Sequence, residues 1–350
     1  MQYTIFGESH GPAIGVTLTG VPAGLVLDTD AMAAELRRRA TGRNALSTAR
    51  KEADIPEILS GVFEGRTTGT PLTIVIRNGD QHSGDYAVIK DLARPGHADY
   101  AGHLRYAGCN DYRGGGHFSG RLTAPLVAAG AVAKQVLAAQ GIAVGAHIAA
   151  IAGIRDTAFP LEPAAALFAE IAAKDFPVQD DAAGAAMQAA ILQAREAQDS
   201  VGGEIECAVT GLPAGLGAPD FGCNLEGIFS AHLFAVPAVK AVAFGDGFGL
   251  AALRGSQAND PWRVTPTGQM KTLTNRAGGI NGGISNGMPV VFTVAIRPTP
   301  SIGQTQQTVD FVRGENAEIT IRGRHDPCIV HRAVPVIEAA AAIAATEIIR

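Results

Sequence analysis

The sequence predicts an α+β fold: a single domain over residues 1–350 in which two pseudo-repeated halves pack their helices against antiparallel sheet. Three observations predict it. Ile14-Gly-Val-Thr-Leu-Thr-Gly-Val-Pro-Ala-Gly24 resembles Ile205-Glu-Cys-Ala-Val-Thr-Gly-Leu-Pro-Ala-Gly215, and a helical pattern follows each. Gly69-Thr-Pro-Leu-Thr-Ile-Val-Ile76 corresponds to Gly287-Met-Pro-Val-Val-Phe-Thr-Val294. Arg113-Gly-Gly-Gly-His117 corresponds to Arg322-Gly-Arg-His325, and each precedes a long apolar helix. A spacing this long marks a duplicated half-domain rather than a solenoid. The halves fall at about 5–140 and 204–350, with the Ala-rich 142–200 as a scaffold insertion.

Taken in order, the chain first presents Gly7-Glu-Ser-His-Gly11, a glycine-bounded turn carrying Ser9 and His10, ahead of a strand over Ala13–Thr19. Thr29 or Asp30 caps a helix through Ala31–Arg39 that ends near Gly42-Arg43. Its three terminal arginines suit either the macrodipole or an anion. The segment 58–65 and a strand over Leu72–Arg77 follow, and then a polar, turn-rich run from Asn78 to Tyr86.

Residues 94–121 concentrate the chemistry. Arg94, Arg105, Arg113 and Arg121 offer planar forks for carboxylate or phosphate, and consecutive glycines let main-chain N–H groups approach an oxyanion. His97, His103 and His117 add groups that exchange protons near neutrality. The stretch opens onto an apolar helix with Pro125 in its first turn, and a helix start reinforces an anion site. Isolated, the triple glycine would read equally well as a tight turn. Gly114-x-Gly116 followed by Gly120 misses the dinucleotide fingerprint by one residue, and no Gly-Lys pair exists for a P-loop.

The C-terminal half adds a flexible glycine loop over 276–287, Arg297-Pro-Thr-Pro-Ser301 and Arg324-His-Asp-Pro-Cys328. Asp326, just ahead of the final helix, is either a helix cap or a functional carboxylate beside basic neighbours. With 47% hydrophobic and 17% charged residues the chain is globular. A net charge of −5, with basic residues in motifs rather than tracts, argues against nucleic acid as a partner. The four widely spaced cysteines read as free thiols of a reduced compartment. No signal peptide or bilayer span is expected, so the predicted location is cytoplasmic, with no membrane partner.

Gly7-Glu-Ser-His-Gly11, Arg94-Pro-Gly-His-Ala-Asp99, Asp111-Tyr-Arg-Gly-Gly-Gly116, the glycine loop 277–287 and Arg324-His-Asp-Pro-Cys328 together resemble the chorismate synthase family, in its order and from residue 5 to the C-terminus. The resemblance implies a β-α-β sandwich and a lyase that converts 5-enolpyruvylshikimate 3-phosphate to chorismate. That reaction is a trans-1,4 elimination of phosphate from C3 and hydrogen from C6. It also implies reduced FMN, supplied by NADPH in place or by a separate flavin reductase, and a homotetramer. By the same resemblance His10 protonates the departing phosphate, His97 protonates the reduced flavin near N1, and Asp326 assists at flavin N5 with Ser9 nearby. Arg39, Arg43, His117, Phe118, Ser119, Pro237, Ala238, Gly282, Arg297, Pro298, Thr299, Pro300, Ser301 and Arg324 fall at flavin-binding positions, and Arg113 and Arg121 at substrate-binding ones. Where many members read Arg-Ser-Ser-Ala-Arg after the triple glycine, this chain reads His117-Phe-Ser-Gly-Arg121, which exchanges a fixed cation for a titratable one.

Two other function classes compete. A non-catalytic phosphometabolite-binding protein could use the same arginine and glycine cradle without histidines in register. A metallohydrolase is disfavoured, since H-E-x-x-H is absent and the pairs His97/His103 and His325/His331 are spaced by six, so no metal is expected.

Overall fold

The computed structural model describes residues 1–42, 46–47, 53–79, 90–321 and 325–349. Two antiparallel sheets frame the molecule. The first contains β1 (Gln2–Gly7), β2 (Ala13–Thr19), β3 (Pro56–Ser60) and β4 (Leu72–Arg77), in the order β1-β2-β4-β3. The second contains β5 (Ala143–Ile151), β6 (Ile154–Arg155), β7 (Gly203–Thr210), β8 (Val239–Phe244) and β9 (Val290–Ile296), in the order β8-β9-β7-β5-β6. A hairpin of β10 (Thr305–Asp310) and β11 (Glu315–Thr320) stands apart from both.

The helices are α1 (Thr29–Arg39), α2 (Asp99–Arg105), α3 (Thr123–Ala138), α4 (Ala165–Ala173), α5 (Asp181–Glu196), α6 (Leu225–Phe234) and α7 (Val330–Ile348), with a shorter turn at Gly255–Ala258. The cap of α1 is Asp28, whose Oδ1 accepts the Ala31 N–H at 2.8 Å, not Thr29 or Asp30. Helix α3 packs on the first sheet, α7 packs on the second, and the two pack on each other. Both are buried nearly all round, which is why their sequences are apolar without a polar stripe. A Cβ on Gly130 would lie 2.2 Å from that of Ala339, so glycine is what lets the two helix backbones meet. One apolar cluster joins Ile14 and Leu72 of the first sheet, Val127 and Ile337 of the helices, and Phe292 of the second sheet.

The two sheets share pairing registers. Leu18 faces Leu72 across β2 and β4, and the positions aligned with them, Val209 and Val290, face each other across β7 and β9. The Thr67 hydroxyl accepts the Leu25 N–H at 3.1 Å and donates to the Pro22 carbonyl at 2.5 Å. The Ser285 hydroxyl does the same with Leu216 and Pro213, at 2.9 and 2.7 Å. Beside β7 runs β5, as β1 runs beside β2, so the expected insertion 142–200 needs correction: Ala143–Ile151 is a sheet strand, and only the chain after it leaves the shared pattern.

Candidate active site

His10 is delivered by the β1–β2 connection, where Gly7 still pairs with Ile14 and the residues between form the turn. Ser9 and His10 are both buried. The Ser9 N–H donates to the Gly116 carbonyl at 3.2 Å, which ties this turn to the triple glycine. Gly114, Gly115 and Gly116 have φ of 59°, 82° and 53°, a left-handed run that glycine alone takes without strain. A Cβ on Gly114 would lie 2.1 Å from Cε1 of His10, so the imidazole rests directly on that backbone. The turn-forming and site-forming readings of the glycines therefore coincide. Downstream, His117 Nδ1 donates to the Gly7 carbonyl at 3.0 Å, Phe118 packs on Gly102 of α2, and Ser119 Oγ accepts the Arg121 N–H at 3.3 Å.

Next to this turn the ends of three helices converge. Arg39, the last residue of α1, donates to Asp54 Oδ2 at 2.7 Å and to Thr123 Oγ1, at the start of α3, at 3.3 Å. Arg121 donates to the other Asp54 oxygen. Arg332, in the first turn of α7, donates to the Arg39 carbonyl at 3.1 Å and to Asp326 at 2.5 Å. Burial pushes the Arg39 guanidinium down to about 10, Asp54 opposes that, and the charges of Arg332 and Arg121 add to it. Burial alone would raise Asp54, but Arg39 and Arg121 outweigh it and hold the carboxyl below its usual range. Among the described residues three guanidiniums thus face two carboxylates, and Arg39 Nε is buried without a partner. Among the described residues this leaves positive charge in excess at two helix N-termini, with a donor unused, an arrangement suited to an anion.

A second group adjoins the first. Arg94 binds Asp99 through two 2.7 Å bonds, which fixes the turn bearing His97. His97 Nε2 lies 2.7 Å from Ser301 Oγ. A Cβ on Gly96 would lie 2.7 Å from Arg297 Nη1, so the turn lies on the segment 297–301. The Arg297 N–H donates to the carbonyl of Ala238 at 3.0 Å, which brings Pro237-Ala238 alongside. Pro298 packs on Gly202, the Thr299 carbonyl accepts from Ser200 at 2.6 Å, and Thr299 Oγ1 is buried without a partner. Burial pushes His97 down to about 4; Arg94, Arg297 and His325 add to the shift and Asp99 opposes it. His325 is lowered by burial and senses both Asp326 and Arg94, which links the two groups electrostatically.

Not every candidate joins them. Arg113 pairs with Asp111 at 2.8 Å and its side chain is 43% exposed, at the rim. Gly282 sits with open space above it in the hairpin Ile280–Asn281/Ile284–Ser285, and no described contact connects it to either group. Arg43 and Arg324 lie outside the described residues. Asp326 is not a helix cap: Ile329 occupies that position with no side-chain bond, and Asp326 pairs with Arg332 instead. Sequence reasoning missed Asp54, Asn78 and Arg332. Apart from Asp326, six residues before Arg332, their side-chain partners lie 15 to 293 residues away, and the only local signals were an acid after a basic run and the first residue of a polar loop.

Comparison with known proteins follows the same lines. The family profile described as Chorismate synthase matches residues 1–349. The chain is 48% identical over 342 residues to the chorismate synthase of Methanocella arvoryzae, covering 98% of this chain and 90% of that protein. It is 46% identical over 343 residues to that of Thermococcus kodakarensis, covering 98% and 94%. A crystal structure of chorismate synthase superposes with a TM-score of 0.77 at 27% identity, over 99% of this chain and 90% of that one.

Proposed function

This chain belongs to the chorismate synthase family, and from that membership we propose how its residues convert 5-enolpyruvylshikimate 3-phosphate to chorismate and phosphate. It is a carbon–oxygen lyase acting on a phosphate. The observation that carries the residue assignment is the meeting of Arg39, Arg121 and Arg332 at three helix ends beside the buried His10 turn.

The substrate brings a phosphate and two carboxylates, and the positive excess around Asp54 and Asp326 offsets their charge. Arg121 holds substrate, with Arg113 at the rim. His10 delivers a proton to the phosphate as the C3–O bond breaks, and Ser9 supports it in the same turn. Buried donors count for more here than in water, since they need no reorganisation when charge moves.

The cofactor is FMN in its reduced form. The residue set fits it: the unused Arg39 Nε suits a phosphate, and the buried, unpartnered Thr299 Oγ1 beside His97 and Ser301 suits a polar ring edge. Arg39 and Arg43 would hold its anionic end, while His117, Phe118, Ser119, Pro237, Ala238, Arg324 and the segment Arg297–Ser301 would contact the rest. When bound, reduced flavin lends electron density to the substrate and regains it, so there is no net redox change. His97 and Asp326 manage protons at its N1 and N5 edges. The reduced flavin is generated in place from NADPH or supplied by a separate flavin reductase.

The assembly is a homotetramer in the cytoplasm. Large exposed apolar side chains such as Phe63, Phe221, Phe248 and Trp262 support subunit contacts, and four free cysteines support a reducing compartment. No helix among the described residues is long and apolar enough to cross a membrane. The decisive experiment is anaerobic turnover with FMN kept reduced, following chorismate formation. Substrate binding without chorismate would restore the non-catalytic alternative.

A further inference from the structure

Asn78 follows directly on β4, and the pairing of Ala13 with Arg77 sets it opposite the end of the His10 turn. Its side-chain amide and its backbone N–H are all engaged there. Its Nδ2 donates to the Glu8 carbonyl at 3.1 Å and to the Gly11 carbonyl at 2.8 Å, spanning Ser9-His10 on both sides. Its backbone N–H donates to the Pro12 carbonyl at 3.2 Å. Its Oδ1 accepts Arg121 Nε at 3.1 Å. Two carbonyls on one side and a guanidinium on the other fix the orientation of the amide, because only NH₂ can serve the first and only oxygen the second.

We propose that Asn78 is the positioning residue that sets His10 against Arg121, so that proton delivery and anion binding act on the same phosphate. The proposal rests on the assignment of His10 and Arg121 above. A carboxylate in its place keeps the acceptor for Arg121 but puts oxygen against two carbonyl oxygens, releasing the turn. Alanine releases both.

The test measures kcat, KM and thermal unfolding of reduced-FMN enzyme carrying Asn78→Asp, Asn78→Ser or Asn78→Ala, alone and in a His10→Ala background. Displacement of a reacting group by about 1 Å can cost about 10²-fold. Asn78→Asp should therefore lower kcat by tenfold to a hundredfold (~10–10²) while substrate KM stays within about threefold. Asn78→Ala should lower kcat and also raise KM. In the His10→Ala background Asn78→Asp should slow turnover by no more than about twofold, because the two residues act as a unit.

A kcat for Asn78→Asp within about threefold of wild type overturns the proposal, and so does an equal loss in both backgrounds. If none of the three variants accumulates as folded protein, the role is structural and the proposal falls. The underlying assignment fails separately: His10→Ala turning over like wild type removes His10 from the mechanism, whereas a slow His10→Ala with an unimpaired Asn78→Asp removes only the positioning role.

Discussion

His97 is a neutral imidazole at pH 7, because burial and the charge of Arg94 hold its pKa near about 4. A bound anion that offsets Arg94 and Arg297 would raise that pKa. Its imidazole resonances should therefore titrate near about 4 in the free protein and at a higher pH once substrate is present. A titration that substrate leaves unmoved would take His97 out of the anion site. The sign for stability follows from the depressed value. Between about 4 and 6.5 the unfolded chain binds more protons, so the contribution of His97 is full above 6.5 and is lost as pH falls through that window. His10→Ala should lower kcat by about 10²–10⁴-fold with FMN affinity nearly kept, as measured by turnover and flavin titration. Asp326→Asn separates charge from proton transfer. Because Ile329 is the N-cap of α7 and Asp326 pairs with Arg332, some stability is lost with the ion pair, but a fall in kcat of about 10²-fold or more marks a proton-transfer role, and full activity removes it.

At the scale of elements, one buried residue helps to pin the chain after β5 to the second sheet. His147 of β5 has Nδ1 2.8 Å from Asp156 and Nε2 2.7 Å from Glu206, so with both nitrogens donating to carboxylates the ring is an imidazolium. Burial by itself would lower its pKa, but Asp156 and Glu206 outweigh burial and raise it. Asp156 is in turn held low despite its burial, through His147 and the N–H groups of Gln179 and Asp180. A raised histidine contributes stability that is full below the ordinary value of 6.5 and is lost as pH rises through the folded value. The Asp156 contribution is present above 3.8 and fades as pH falls through its lowered value. The Phe159 N–H donates to Glu206 at 2.8 Å, so amide protection at Phe159, Gln179 and Asp180 should decline as pH rises above 6.5, beyond the intrinsic exchange rate, and His147→Gln should remove that dependence. The triple glycine offers a second test at this scale. Gly114→Ala demands φ 59° and a Cβ 2.1 Å from the His10 ring, so it should abolish turnover more than it lowers the unfolding midpoint.

Across the whole molecule, Glu338 is the charge on which the two halves close. It lies in the middle of α7, accepts Arg38 of α1 at 2.6 and 2.9 Å and Lys134 of α3 at 2.5 Å, and takes the Ala146 N–H of β5 at 3.1 Å. Glu35 completes the set against the same two cations. Burial by itself would raise Glu338, but Arg38 and Lys134 outweigh it and hold the carboxyl down to about 2. Its contribution to stability is therefore present above 4.5 and lost as pH falls toward about 2. Glu338→Ala leaves two cations, 13% and 19% exposed, with Glu35 alone, and should cost about 3–5 kcal/mol in denaturant unfolding. A cost below about 1 kcal/mol would mean that water reaches the cluster.

The sequence by itself determined the α+β class, the strands over Ala13–Thr19 and Leu72–Arg77, and the chemistry of the motifs, because alternation, glycine turns and runs of arginine and histidine are local properties. It also carried the repeat, since two segments with one pattern take one register. Tertiary structure alone decided which groups meet. Asp54 between Arg39 and Arg121, Arg332 on the end of α1, Asn78 across the His10 turn and Glu338 among three helices and a strand are pairings between residues far apart in the chain. No window of sequence holds both partners of such a bond. Only the packing of helix ends between two sheets brings them within the distances at which charge is neutralised and a proton can move.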